Sequence, residues 1–349
     1  MSNKRNYFDE EVKFEVEGRE LEGILTSPKT DGPHPAIVLL HGSDRSGKDD
    51  LYYKNHAENI VQAGFTVLRY DGPGWGGGFE TLESRTEEAV AVVKYLQSRP
   101  DIQANTVGLW GISQGGWICQ MAAVAYDGVA FIIPTSGPGV TPTEQEVYRV
   151  EAESRAAGFD EGDVAKATLM RRLMADIVLD EPIFQTTNQS DSEKLSVGLW
   201  YEVLNLVYGA EPVDPTVEFE KVLGLLHAIK AEAWTKFLHL DQIIPMFESL
   251  PPQAWETTKG QMRAVMEVNP ADFLTKVRCP VMAIFGEEDT SIPVEKSVNL
   301  YKKYLREAGN ASVTIKVFPK ASHTIKVNDK YVPEYFQAIN IWLSNLTIN

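Results

Sequence analysis

The chain has 349 residues, 43% of them hydrophobic and 23% charged, and its 33 basic against 49 acidic residues give a net charge of −16. That length supplies a substantial core and admits two or three domains of roughly 150 residues each. The acidic surplus, with no Lys/Arg cluster to offset it, disfavours nucleic-acid partners, average Gly and Pro usage excludes collagen-like and low-complexity chains, and no apolar run approaches the roughly 20 residues of a membrane helix.

In chain order, residues 12–16 and 21–26 read as strands joined by a tight turn, and 36–40 as a compact buried strand. A helical pattern over 51–63 ends at Gly64, a good left-handed stop. Strand 65–70, amphipathic helix 83–98, strand 106–110, helix 114–125 and strand 129–134 follow. Buried β runs separated by helices of this length imply right-handed βαβ units and a mostly parallel sheet. From 138 to 278 the pattern turns helical, as in 168–177, 194–207 and 217–234, broken by Gly158, Pro182, Pro212, Pro215 and Pro251-Pro252. Strands resume at 281–285 and 313–318, each followed by a helix, 294–308 and 332–346. The expected organisation is therefore α/β: a core over 1–137 and 279–349, with a helical insertion over 138–278 after the sixth strand.

The N-terminus is polar and charged with no apolar h-region, so no secretory signal is expected. Cys119 and Cys279, the two cysteines, form neither a C-x-x-C pair nor a disulfide framework. The expected location is cytoplasmic, with no membrane partner.

Gly111-Ile112-Ser113-Gln114-Gly115-Gly116 joins strand 106–110 to a helix, the G-x-S-x-G nucleophile elbow in its strand–turn–helix setting. A sharp turn there holds Ser113 in a strained conformation. Side chains at 111 and 115 would collide with neighbouring backbone, and the following helix points its positive end at a developing oxyanion. A serine needs a base. Of six histidines, His323, in Pro319-Lys320-Ala321-Ser322-His323 after the last strand, fits the order Ser…Asp/Glu…His. His227 and His239 fall in helical patterns of the insertion and read as packing or surface residues. The orienting carboxylate is expected after strand 281–285, in Gly286-Glu287-Glu288-Asp289, with Asp289 first and Glu288 and Glu287 as fallbacks. The other usual acid position, after strand 129–134, reads Thr135-Ser136-Gly137-Pro138 and has no carboxylate. Two N–H donors complete an oxyanion hole, that of Gln114 and that of Ser43 in His41-Gly42-Ser43, where His41 serves to pin the loop.

These residues, across essentially the whole chain, resemble the α/β-hydrolase family, and in particular capped bacterial serine esterases of the dienelactone-hydrolase and serine-aminopeptidase-like branch. The resemblance implies an α/β-hydrolase fold, a mostly parallel central sheet flanked by helices, and makes the insertion a cap. Homodimers, common among capped relatives, are an expectation by analogy. The loop His41-Gly42-Ser43-Asp44 departs from the Gly-Gly-Gly run of hormone-sensitive-lipase-like esterases, which disfavours bulky tertiary-alcohol esters.

The expected activity is a carboxylesterase-type cleavage of small-molecule esters with short to medium acyl chains, through an acyl-enzyme on Ser113 with His323 and Asp289, and without cofactor or metal. The same triad would serve a thioesterase, a serine peptidase or an acyltransferase, and a catalytically silent binding protein of this fold is the remaining alternative. Gly72-Pro73-Gly74-Trp75-Gly76-Gly77 matches G-x-G-x-x-G, but the required helix opening and distal acid are missing, so no dinucleotide is expected. No Walker lysine and no zinc-ligand spacing occur. Arg45 and Lys48, after the oxyanion loop, are expected to be ordinary solvated charges, with contact to an anionic substrate group as the alternative. Tyr148, Trp200, Tyr201, Trp234, Phe237, Met246, Phe247 and Trp255 are expected mostly in the insertion's own core.

Overall fold

The computed structural model describes residues 6–16, 18–43, 46–72, 81–180 and 214–346. By contacts the chain divides into two compact units, one of Met1–Val140 with Asn269–Asn349 and the other of Thr141–Val268.

The first unit is built on an eight-stranded sheet in the order β1-β2-β4-β3-β5-β6-β7-β8. Its strands are β1 Tyr7–Val16, β2 Arg19–Pro28, β3 His34–Leu40, β4 Thr66–Tyr70, β5 Ile102–Ile112, β6 Ile132–Thr135, β7 Val281–Gly286 and β8 Val313–Phe318. Strands β1 and β2 form an antiparallel hairpin, β2 pairs antiparallel with β4, and every later pairing is parallel. The central strands β3, β4, β6 and β7 are buried or nearly so along their length, as expected of parallel strands covered on both faces, whereas β1, at the edge, alternates.

Chain direction explains where the site lies. From β3 the chain moves to β4 on one side, then crosses to β5 on the other. The carboxyl ends of β3 and β5, with Leu40 opposite Gly111, therefore sit at a topological switch point, where a crevice opens at the sheet's end.

The helices are α1 Leu51–Ile60, α2 Leu82–Ser98, α3 Gln114–Ala125, α4 Pro142–Ala156, α5 Glu161–Leu179, α6 Pro215–Ile229, α7 Leu240–Glu248, α8 Trp255–Met266, α9 Ala271–Leu274, α10 Val294–Glu307 and α11 Pro333–Ser344. Local chemistry sets many of these ends. Asp50 caps α1, Thr81 caps α2, and Thr141 with Glu144 forms a capping box on α4. Helix α1 passes into a short 3-10 turn that stops at Gly64, left-handed at φ 86°.

Strand β6 is shorter than its apolar run. Ala130 and Phe131 still bond to β5, through Val107 O at 2.9 Å and Leu109 N at 3.0 Å, the Ala130 bond falling outside the ladder's register. Apolarity alone cannot distinguish such a stretch from a strand. A ribbon of Lys326–Val327 with Lys330–Tyr331 has no counterpart in the sequence reading; Asn328 and Asp329, both at positive φ, make its two-residue turn.

In the second unit every described element is helical. Its core gathers Val150, Leu173, Leu226, Trp234, Phe247 and Trp255. Tyr148 and Phe237 are half-buried and Met246 is 40% exposed. The expected helix 217–234 is divided, α6 ending at Ile229 before a 3-10 turn at Ala233–Leu238. The expected helix 194–207, with Trp200 and Tyr201, lies outside the described residues. Lys259 is 3% exposed and pairs with Asp180 and Glu218. Burial opposes its charge, but the two carboxylates more than offset that and leave its pKa raised. Among the described residues, no helix is long and apolar enough to cross a membrane.

Candidate active site

Ser113 stands between β5 and α3 at φ 53°, ψ −118°, a backbone strained for any residue with a Cβ. Its amide donates to Thr135 O at 3.0 Å, and its carbonyl accepts from Gly116 N at 2.8 Å. The glycines are required for the reason the sequence suggests. A Cβ on Gly111 would lie 2.3 Å from Gly115 O, and one on Gly115 would lie 2.8 Å from His41 O. The elbow is thus packed directly under the loop leaving β3, and the N-terminus of α3 begins at the residue after the serine.

Asp289 and His323 meet at the ends of β7 and β8. Asp289, 3% exposed, accepts through Oδ1 from the amides of Ser291 (2.7 Å) and Ile292 (3.2 Å), while Oδ2 accepts from His323 Nδ1 at 2.7 Å. Protonation of Nδ1 for that bond leaves Nε2 as the acceptor nitrogen of the neutral ring. The fallback carboxylates do not reach the histidine ring in this way. Glu287 and Glu288 are exposed, and Glu287 accepts from Lys320 N at 3.0 Å. Two backbone bonds, Glu287 N to Phe318 O and Glu288 N to Ala321 O, both 2.9 Å, join the two loops. They approach so closely that a Cβ on Gly286 would sit 2.2 Å from Ser322 O. Ser136, after β6, where the sequence has no acid, donates from Oγ to His323 O at 2.7 Å.

The loop after β3 is held from outside. His41 Nε2 donates to Tyr70 O at 2.7 Å, and its ring packs on Tyr53 with centroids 4.2 Å apart. Arg85, in the first turn of α2, donates to His41 O at 2.7 Å, to Gly42 O at 3.0 Å and to the side-chain oxygen of Gln114. One guanidinium therefore ties together the two segments that carry the expected oxyanion donors, Ser43 and Gln114. Sequence reading missed Arg85; its only signal is a basic residue in the first helical turn after the glycine-rich stretch. Lys48 is paired within the fold. Its ammonium pairs with Asp71 at 2.8 Å and Glu22 at 3.1 Å, its amide donates to Asp71 as well, and these carboxylates hold its pKa up. Arg45, Pro73 through Gly77 and Asp44 lie outside the described residues.

Ser113, His323, Gly42 and Ser43 line one cavity of about 360 Å³, together with Ser46, Asp50, Tyr52, Tyr53, Ile112 and Thr324. Beneath it, His56 is fully buried. Its Nδ1 donates to Tyr52 O at 2.7 Å and its Nε2 accepts from Tyr335 Oη at 3.0 Å, and burial lowers its pKa to about 3. It is a neutral packing histidine. His227 pairs with exposed Glu248, and His239 begins α7; both belong to the second unit. Burial raises the Cys279 thiol to about 12 and Cys119 well above its ordinary value, so neither is a ready thiolate. No group of three potential metal ligands occurs among the described residues.

The model of the alpha/beta hydrolase family matches residues 37–329. The chain belongs to that family. Esterase EstD of Thermotoga maritima is 30% identical over 164 residues, 44% of this chain and 39% of that protein. An uncharacterized 31.7 kDa protein of Escherichia coli, from the traX-finO intergenic region, is 24% identical over 290 residues, 80% and 82% of the two chains. Among solved structures, an esterase of Pyrococcus furiosus superposes with a TM-score of 0.55 at 15% identity, covering 98% of this chain and 92% of that one, a likeness of fold. Family membership makes the chain a hydrolase and its sheet an α/β-hydrolase sheet.

Proposed function

We propose that the protein is a serine hydrolase that cleaves small carboxylic esters, of carboxylesterase type with short to medium acyl chains. The observation that carries this reading is the Asp289–His323 pair at 2.7 Å, opening on the same cavity as a serine held at a nucleophile elbow. Ser113 Oγ attacks the ester carbonyl while His323 Nε2 takes its proton. Asp289 holds the ring in the Nδ1-protonated tautomer and stabilises the imidazolium. The Ser43 and Gln114 amides receive the tetrahedral oxyanion, with Arg85 keeping their two segments in register. The C–O bond to the alcohol then breaks as His323 returns the proton to the leaving oxygen. Water, deprotonated by the same nitrogen, attacks the acyl-serine and releases the acid. The chain's own groups suffice for this sequence, so the proposal includes no cofactor or metal. The proposed location is cytoplasmic, in keeping with two free cysteines.

Initial rates on p-nitrophenyl esters from acetate to palmitate, with Ser113→Ala as control, test the proposal. The expected result is a maximum at short to medium chains that disappears in the variant. Labelling of Ser113 by a fluorophosphonate without turnover of any ester would shift the assignment to thioester, peptide or acyl-transfer chemistry. No labelling and no turnover would leave a silent member of the fold.

A further inference from the structure

The cavity holding Ser113 and His323 also contains a carboxylate to which the ester mechanism assigns no role. Asp50 precedes α1 and lines the cavity, half-buried. Its Oδ1 accepts from Tyr52 N at 2.7 Å, which fixes the direction of the group. The surrounding wall is hydroxylic and aromatic: Ser43, Ser46, Thr324, Tyr52 and Tyr53. Among the described residues no Lys or Arg lines this cavity. Of the described cations nearby, Lys48 is paired with Asp71 and Glu22, and Lys326 lies over the rings of Tyr331 at 4.9 Å and of Tyr52, itself part of the wall, at 5.9 Å. The pKa of the Tyr331 hydroxyl is raised chiefly by burial and further by the charge of Asp50. The N-terminus of α1 offsets part of that charge, but a helix end supplies only about half an elementary charge against a full one.

A carboxylate fixed beside tyrosine rings in a partly enclosed cavity attracts an ammonium group and repels an anion, more strongly than it would in open water. We propose that Asp50 determines substrate charge at this site, selecting small esters that carry a cationic ammonium group in the acyl or the alcohol part over anionic ones. This rests on the ester-hydrolase reading above and narrows its substrate class. It also sets the site against acyl groups or alcohols bearing carboxylate or phosphate.

The test uses matched small esters ending in trimethylammonium, methyl or carboxylate, placed in one series on the acyl chain and in another on the alcohol, each rate divided by that of alkaline hydrolysis. In wild type, kcat/KM is expected to fall from cation to neutral to anion in at least one series, with a cation-to-anion ratio of about tenfold or more, equivalent to about 1.4 kcal/mol. Asp50→Asn removes the charge and retains a residue that caps helices equally well. It is expected to bring that ratio below about threefold, and a ratio is unaffected by any general loss of activity. Equal or reversed preference in both series of the wild type, or a ratio unchanged by Asp50→Asn, overturns the inference while leaving the esterase reading standing. Failure of every ester, neutral ones included, overturns both.

Discussion

At the ends of β7 and β8, Asp289 and His323 are positioned largely by backbone. Amides of Ser291 and Ile292 hold the carboxylate, and the Glu287 and Glu288 amides join its loop to the histidine loop. At the end of β3, the loop proposed to carry an oxyanion donor is instead held by side-chain contacts to other elements: Arg85 of α2 on its carbonyls, Asp71 after β4 on Lys48, and its own His41 ring reaching Tyr70. A site half built in this way should tolerate substitution of the side chains flanking the acid and base, Gly286 excepted. Its oxyanion half should depend on a few side chains remote in sequence.

Substitutions sharpen this contrast. Asp289→Asn keeps the side-chain oxygen that receives the Ser291 amide but presents an amide to the histidine, favouring the wrong tautomer; a loss of roughly 10³- to 10⁴-fold in kcat is expected from ester assays. Arg85→Met removes three anchoring bonds without touching substrate. We expect kcat to fall about 10- to 100-fold with KM little changed, and Arg85→Lys to recover part of it. A drop in thermal stability with unchanged kcat would place Arg85 outside the oxyanion machinery. Glu287→Gln, on the backbone-held side, is expected to stay within about twofold of wild type, since an exposed side chain there contributes within about 0.5 kcal/mol. A tenfold loss would break the comparison.

A separate prediction concerns stability and pH, away from the catalytic groups. His56 is neutral when folded, with its pKa near 3 against an ordinary 6.5. Between those values the unfolded chain binds a proton that the folded one does not, so His56 favours folding above about pH 6.5 and loses that contribution as pH falls toward 3. The expected slope from this residue is about 1.4 kcal/mol per pH unit. Urea denaturation across that range should show it, and His56→Gln should flatten it by one proton.

Much of this was readable in the sequence because it is local. The elbow's glycines, the buried strand runs and the turn Gly286 to Asp289 are consecutive residues whose backbone demands limit which amino acids fit. Arg85, Ser136 and Asp50 were not readable, since each meets its neighbours far along the chain: Arg85 at Gly42, Ser136 at His323, and Asp50 in a cavity assembled from the β3 loop, α1, β5 and the β8 loop. The ion pairs of Lys48 were not readable for the same reason, its partners Glu22 and Asp71 lying on β2 and just after β4. Single-sequence reasoning sees a charge but not which charge it faces.

The central claim is that Ser113 is a nucleophile activated by His323. The most direct measurement is peptide mass mapping after reaction with a fluorophosphonate, in wild type and in His323→Ala. The account expects one adduct on Ser113, formed far more slowly in the variant. An unlabelled Ser113 in a protein that still hydrolyses esters, or an adduct on another residue, would contradict it.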